Sequence, residues 1–185
     1  EPEGAPALTL APGFNVVFAG NLGTVQALDT VIEAARQLRD LPAIRFVLIG
    51  SGSRGDWLQT EVRRLGLTNV QMPGRFPPQA MPGILTQASA LLVSLTRDPM
   101  LSQTVPSKIQ AYLATGRPVI ASLDGEGARI VLSAREMGRL YHAKGVERLV
   151  RNAPDILARL GQPGPVPRWA QPGEAADALC AEFLG

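Results

Sequence analysis

FNVVFAGNLGTVQALDTVIEAARQLRDLPAIRFVLIGSG, residues 14–52, reads as strand, helix, strand. Residues 14–19 are a short apolar run broken by Gly20, Asn21, Leu22 and Gly23. Val25, Leu28, Ile32, Ala35 and Leu38 then recur at three- and four-residue spacing, with Asp29, Glu33, Arg36 and Arg39 on the other face. That is the period of an amphipathic helix. Leu41 and Pro42 end it, and residues 44–49 form a second apolar run closed by Gly50, Ser51 and Gly52. Strand, helix, strand of this kind is a βαβ unit, which builds a parallel sheet with helices on both faces. The strand runs are continuous rather than alternating, as doubly covered strands require.

The same alternation continues outward. Trp57, Leu58, Val62 and Leu65 mark a second helix stopped by Gly66; residues 70–72 are a brief strand; residues 79–88 read as a helix opened by Pro77 and Pro78. Residues 90–95 are a strand, and a polar loop covers 96–105. Pro106 stands in the first turn of a helix ending at Gly116, where its missing N–H costs nothing. Residues 118–122 are a strand, and Gly125, Glu126 and Gly127 lead into a helix through Leu132. A last short strand is expected at 138–141, then helices at 146–160 and 174–183. The expected fold is α/β, a Rossmann-like parallel sheet of about six strands with helices on both faces. Residues 1–12 are expected to be a linker from a missing N-terminal part, residues 13–160 the domain, and residues 161–185 a Pro-rich connector with a terminal helix.

Composition narrows the function classes. With 45% hydrophobic and 18% charged residues among 185, the chain is that of a globular core. A net charge of +2 gives no case for nucleic acid. No apolar run reaches the roughly 18 residues a membrane helix needs. A single cysteine, Cys180, excludes an internal disulfide framework and a cysteine-built zinc site; a single histidine, His142, argues against a histidine metal cluster. Lys108 and Lys144 are the only lysines, the other basic residues being arginine, which reads as a compositional bias and directs attention to Lys108.

Ligands of open parallel sheets bind at the carboxyl ends of the strands. Glycines and polar residues collect at those ends here: Gly20 to Gly23, Gly50 to Arg54, Gly74 and Arg75, the loop from Arg97 and Asp98 to Ser107 and Lys108, and Asp124 to Gly127. Glycine lets backbone approach a ligand and frees N–H groups at helix starts, so an anion such as a diphosphate is the natural guest. Lys108 lies in the first turn of a helix, where a cation opposes the helix dipole. A bound anion would account for it.

Together these loops resemble the nucleotide-sugar-binding half of retaining glycosyltransferases of the two-Rossmann-domain (GT-B) architecture, family 4 type. The resemblance covers about residues 14–160. Its strongest part is VPSKIQAYLATGRPVIA (105–121), supported in order by FAGNLGTVQAL (18–28), VLIGSG (47–52), Gly74 with Arg75, and DGEGARIV (124–131). The nearest likeness is to transferases of bacterial O-antigen or capsule, including those using UDP-linked N-acetylated 6-deoxyhexosamines such as N-acetyl-fucosamine. The resemblance implies a donor-binding domain, no metal, no cofactor, and no nucleic acid. It implies a nucleotide-sugar donor, expected to be UDP-linked, a separate acceptor domain, a lipid-linked or polysaccharide acceptor, and a cytoplasmic parent peripheral to the inner membrane face. The fragment alone is expected to be inactive.

Carried onto this sequence, the resemblance implies that Gly20, Asn21, Leu22, Gly23 and Gln26 hold phosphate, and that Gly50, Gly52, Gly74, Arg75 and Phe76 line the nucleotide pocket. Asp98 to Gln103 face the donor sugar, Thr104, Val105, Pro106 and Ser107 belong to the same substrate-binding loop, and Lys108 and Arg54 neutralise the diphosphate; either Gln110 or another side chain covers the ribose, or the nucleotide sits differently. Asn21 and Gln26 stand where many members carry Arg and Lys, and Gln103 and Ala111 where many carry two glutamates. Two alternatives stay open: a non-catalytic, degenerate binding domain, and a sugar-nucleotide epimerase or dehydrogenase. Dinucleotide binding is disfavoured on the expectation that a G-x-G-x-x-G fingerprint is missing, and because the second strand ends in Ile49 and Gly50 rather than an acid.

Overall fold

The computed structural model describes residues 8–123 and 125–127, together with the backbone of 140–141. Six strands, β1 (Phe14–Asn21), β2 (Ile44–Ser51), β3 (Val70–Gly74), β4 (Ala90–Ser94), β5 (Val119–Ser122) and β6 (Leu140–Tyr141), form one sheet in the order β3-β2-β1-β4-β5-β6. Every pairing is parallel. This is the doubly wound α/β fold expected from the sequence, and its strand order reverses between β1 and β4.

Alternate residues of each strand enter opposite cores, as the two-residue period dictates. Val16 and Phe18 of β1 with Phe46 and Leu48 of β2 pack under α1 (Leu28–Gln37) and α2 (Gly55–Arg64). Val17 and Ala19 with Val47 and Ile49 pack under α3 (Met81–Leu85) and α4 (Lys108–Ala114). Phe18 and Phe46 are fully buried; each contributes about 2–3 kcal/mol of apolar burial.

Two elements differ from their sequence expectation. The first helix begins only at Leu28, because Thr24–Gln26 is a 3-10 turn and Ala27 adopts a left-handed φ of 48°. Val25 therefore leaves the buried stripe and is 38% exposed. The helix expected over 79–88 is a 3-10 turn, Pro78–Ala80, followed by the single-turn α3. Pro82 lacks an N–H and Gly83 has poor helix propensity, so the segment cannot sustain a longer helix. β1, β2 and β3 each run two residues beyond the expected ends. The helices expected at 146–160 and 174–183, the connector at 161–167, His142 and Cys180 lie outside the described residues.

The chain entering β1 is fastened rather than free. Gln87 accepts the Leu10 N–H at 3.0 Å and donates to the Leu8 carbonyl at 3.0 Å, and Asn15 Nδ2 donates to the Ala11 carbonyl at 2.8 Å. Leu8 and Leu10 pack against the second core, so at least residues 8–12 of the expected linker belong to the domain.

Candidate functional site

β1 and β4 pair at Val16 with Ala90 and Val17 with Leu91, and no further ladder pair joins them. The strand order reverses between these two strands, and ligands of such sheets bind at the strand ends beside that reversal. A cavity of about 550 Å³ occupies this end of the sheet. Gly20 and Asn21 of β1 and Gly50 and Ser51 of β2 form its floor; Arg75, Phe76 and Pro78 after β3 form one wall, and Lys108, Ala111 and Tyr112 of α4 another. Its charged lining among the described residues is Lys108 and Arg75, with no carboxylate.

Lys108 is the more unusual cation. Its Nζ donates to Gln26 Oε1 at 3.1 Å and lies 3.7 Å from the centre of the Phe18 ring. Burial alone lowers its pKa to about 8. Removing a cation from water disfavours its charged form. The space it fills exists because position 20 is glycine: a Cβ there would lie 3.1 Å from Nζ, and the φ of +139° disfavours any other residue. Gln26, 9% exposed, is itself set by its backbone carbonyl, which accepts the Ser94 hydroxyl at 2.6 Å.

Tyr112, one turn further along α4, is 1% exposed. Its hydroxyl accepts the Ala19 N–H at 2.8 Å and donates to the Ala19 carbonyl at 3.2 Å. Burial raises the pKa of this phenol further above its ordinary value, so it stays a neutral donor.

The sequence-derived site residues divide on this geometry. Gly20, Asn21, Gly50, Arg75, Phe76 and Lys108 come together around the cavity. Gln26 reaches it through Lys108. Leu22 is a core residue, 2% exposed, whose carbonyl accepts the Arg54 N–H at 2.9 Å. Gly23 lies beside the Asn21 side chain, and Gly74 has open space around its α-carbon. Arg54 is not in the lining; its guanidinium stacks on Trp57, 3.7 Å from the ring centre. Asp98 is engaged in its own turn, accepting the Met100 N–H at 2.7 Å. Gln103 ends the 3-10 turn Leu101–Gln103, and Thr104 Oγ1 donates to the Leu101 carbonyl. Val105 packs on the second core, Pro106 accepts the Ile109 N–H, Ser107 precedes α4, and Gln110 is exposed outside the lining. Tyr112, Pro78 and Met81 line the cavity without having been singled out as site residues in sequence, and Ser51 lines it from within the strand end of residues 50–54. The spacing of Lys108 and Tyr112, four residues apart in a helix, was the available signal for Tyr112.

The fingerprint expectation needs correcting. Gly50, Ser51, Gly52, Ser53, Arg54 and Gly55 do spell G-x-G-x-x-G, between β2 and α2. The structure gives these glycines another cause. A Cβ on Gly50 would overlap the Gly20 carbonyl, and one on Gly52 would overlap the Leu22 carbonyl. The glycines let two neighbouring strand ends press together, and the Leu22 carbonyl accepts the Arg54 N–H that would otherwise help receive a phosphate. No acid follows at the end of β3, which closes on Pro73, Gly74 and Arg75.

Among the described residues no group of three His, Cys, Asp or Glu side chains could hold a metal, and no helix is long and apolar enough to cross a membrane.

Comparison with known proteins places this geometry in a family. The family of glycosyl transferases group 1 matches residues 13–159. The chain belongs to that family. It is 36% identical over 104 residues to WcaI of Escherichia coli (strain K12), named for colanic acid biosynthesis glycosyl transfer, covering 55% of this chain and 24% of that protein. It is also 37% identical over 123 residues to a 3-hydroxybenzoate 6-hydroxylase of Polaromonas naphthalenivorans (strain CJ2), covering 64% of this chain and 27% of the hydroxylase. The chain thus spans about a quarter of the curated relatives it matches. Among solved structures, Anabaena Alr3699/HepE in complex with UDP-glucose superposes with a TM-score of 0.64 at 19% identity, over 92% of this chain and 44% of that one. At that identity the likeness establishes the fold.

Proposed function

We propose that the chain is the donor-binding domain of a retaining, metal-independent glycosyltransferase, and that the cavity at the β1–β4 divergence takes a UDP-linked sugar. The observation that carries this reading is Lys108: a cation partly withdrawn from water, facing a cavity whose described lining holds a second cation and no carboxylate. Such a site favours an anion. The diphosphate would lie against Lys108 and the Gly20 backbone, with Arg75 and Phe76 toward the nucleoside. As the bond between the sugar's anomeric carbon and the diphosphate breaks, negative charge grows on the leaving group. A preorganised, desolvated cation stabilises that charge more than it stabilises the ground state. The acceptor hydroxyl attacks from the face the diphosphate leaves and passes its proton to the departing phosphate oxygen, so configuration is retained. Acceptor binding falls to a separate domain, and the parent's product is a bacterial surface polysaccharide, in keeping with the name of WcaI.

Calorimetric titration of UDP, UDP-N-acetylglucosamine, GDP and NAD into the chain tests the reading. Saturable UDP binding that is weakened in Lys108→Ala, with weak binding of GDP and NAD, supports it. Preferential binding of NAD would instead favour the dehydrogenase alternative. Absence of binding by all of them would favour a degenerate domain or a site completed by its partner domain.

A further inference from the structure

We infer that the Tyr112 hydroxyl is a positioning group for Lys108, taking over the backbone pairing that β4 withdraws from Ala19 and so fixing where the ammonium stands in the cavity. The inference rests on the proposed function only for its consequence in nucleotide binding; the positioning itself stands on geometry.

The last β1–β4 pair is Val17 with Leu91. Two residues on, Ala19 is 8% exposed and presents its N–H and carbonyl to the gap. Buried backbone groups need partners, and Tyr112 supplies both from one oxygen. α4 is only seven residues long and its N-cap makes no side-chain hydrogen bond, so tertiary contacts must set its position. Ile109 and Tyr112 are its buried residues. Ile109 makes nondirectional apolar contacts that allow sliding. The two Tyr112 hydrogen bonds are directional and fix the helix against β1.

Lys108 lies one turn earlier on the same face. Its site is narrow: Gln26 Oε1 at 3.1 Å, the Phe18 ring centre at 3.7 Å, and the space beside Gly20. A displacement of α4 by about 1 Å takes Nζ out of hydrogen-bond range of Gln26 and toward water. Tyr112 thus sets the hydration of the cation as well as its place.

The test exploits the presence of one other lysine, Lys144. The chain is labelled with 13Cε-lysine, the two resonances are assigned with Lys144→Arg, and Lys108 is titrated by NMR in wild type and Tyr112→Phe. In folded Tyr112→Phe, Lys108 titrates at least one unit higher than in wild type, toward the unperturbed value of about 10.4. UDP affinity, measured in parallel, falls about tenfold, and Lys108→Ala with Tyr112→Phe binds no more weakly than Lys108→Ala alone. Identical Lys108 titration in wild type and folded Tyr112→Phe overturns the inference, whatever the nucleotide result. UDP binding unaffected by Lys108→Ala instead overturns the functional reading while the NMR titration still decides the role of Tyr112. Should Tyr112→Phe fail to fold, 4-aminophenylalanine at position 112 keeps a donor to the Ala19 carbonyl and loses most of the acceptor for the Ala19 N–H; a smaller upward shift supports the inference and none overturns it.

Discussion

Lys108 Nζ and Gln26 Oε1, 3.1 Å apart, join the first turn of α4 to the 3-10 turn that follows β1. The contact spans the strand-order reversal and fastens a cation whose burial is unfavourable for the fold. The shift from 10.5 to about 8 corresponds to about 3 kcal/mol of cost for the charged form. Replacing Lys108 by Met removes that cost. It also removes the Gln26 hydrogen bond and the Phe18 ring contact, worth about 1 kcal/mol each. Desolvation is the largest of these, so Lys108→Met is expected to be more stable at pH 7 by about 1 kcal/mol, raising Tm by about 2–4 °C. Thermal unfolding checks this. A drop in Tm would mean that Lys108 serves the fold rather than a ligand.

The same shift fixes a pH dependence. Lys108 holds its proton less tightly folded than unfolded, so between about pH 8 and 10.5 the unfolded state binds more protons. Its destabilising effect is fully present below about pH 8 and fades as pH rises through that window. The Tm advantage of Lys108→Met over wild type is therefore expected to shrink from pH 7 to pH 10. Binding follows the opposite preference. An anion selects the protonated amine, so UDP affinity should weaken above about pH 8, by up to about tenfold per pH unit, with proton uptake on binding. Calorimetry in buffers of different ionisation enthalpy reads that uptake. The Lys108→Met variant should show none.

Turnover by the parent enzyme supplies a harsher test. The charge on the leaving diphosphate grows only as the bond breaks, so removing its cation should affect the chemical step more than ground-state binding. Lys108→Ala is expected to lower kcat more than a hundredfold, whereas Arg75→Ala, losing an exposed cation, should lower affinity severalfold and leave kcat nearly unchanged. Steady-state kinetics on both variants separates the two roles.

The fold was legible because apolar runs and amphipathic helices alternate with little interruption, and Gly20, Gly50 and Gly74 punctuate the strand ends. The candidate cavity was legible in part: Gly20 and Gly50, where backbone decides the geometry, and Lys108, a lysine in an arginine-rich chain, all line it. Arg54 shows the limit. A cation beside a glycine loop reads as a phosphate contact, but Trp57 three residues on offers its ring, and the side chain lies there. Nothing in the sequence marks the Tyr112 hydroxyl as the replacement for a strand pairing; that depends on where the β4 pairing with β1 ends, and no local pattern encodes it. Val25 fitted the helical stripe and was displaced by a left-handed Ala27, a conformation that alanine's sequence statistics do not announce.

Gly50 and Gly55 separate two explanations of the G-x-G-x-x-G run. In a dinucleotide fingerprint the third glycine is needed for close packing of helix on strand. Here nothing lies within 4 Å of a Cβ built on Gly55, the first residue of α2. Gly55→Ala should therefore be neutral or stabilising by up to about 1 kcal/mol through helix propensity, with UDP binding unchanged. Gly50 is the reverse case. Its φ is +139°, and a Cβ would overlap the Gly20 carbonyl across the β1–β2 register. Gly50→Ala must strain its own backbone and push β1 away from β2, costing about 3 kcal/mol or more. Because Gly20 borders Lys108, UDP binding should weaken in whatever Gly50→Ala protein folds. Denaturant unfolding of the two variants decides the matter. A Gly55→Ala protein destabilised as severely as Gly50→Ala would restore the fingerprint as a packing motif, and with it the dinucleotide alternative.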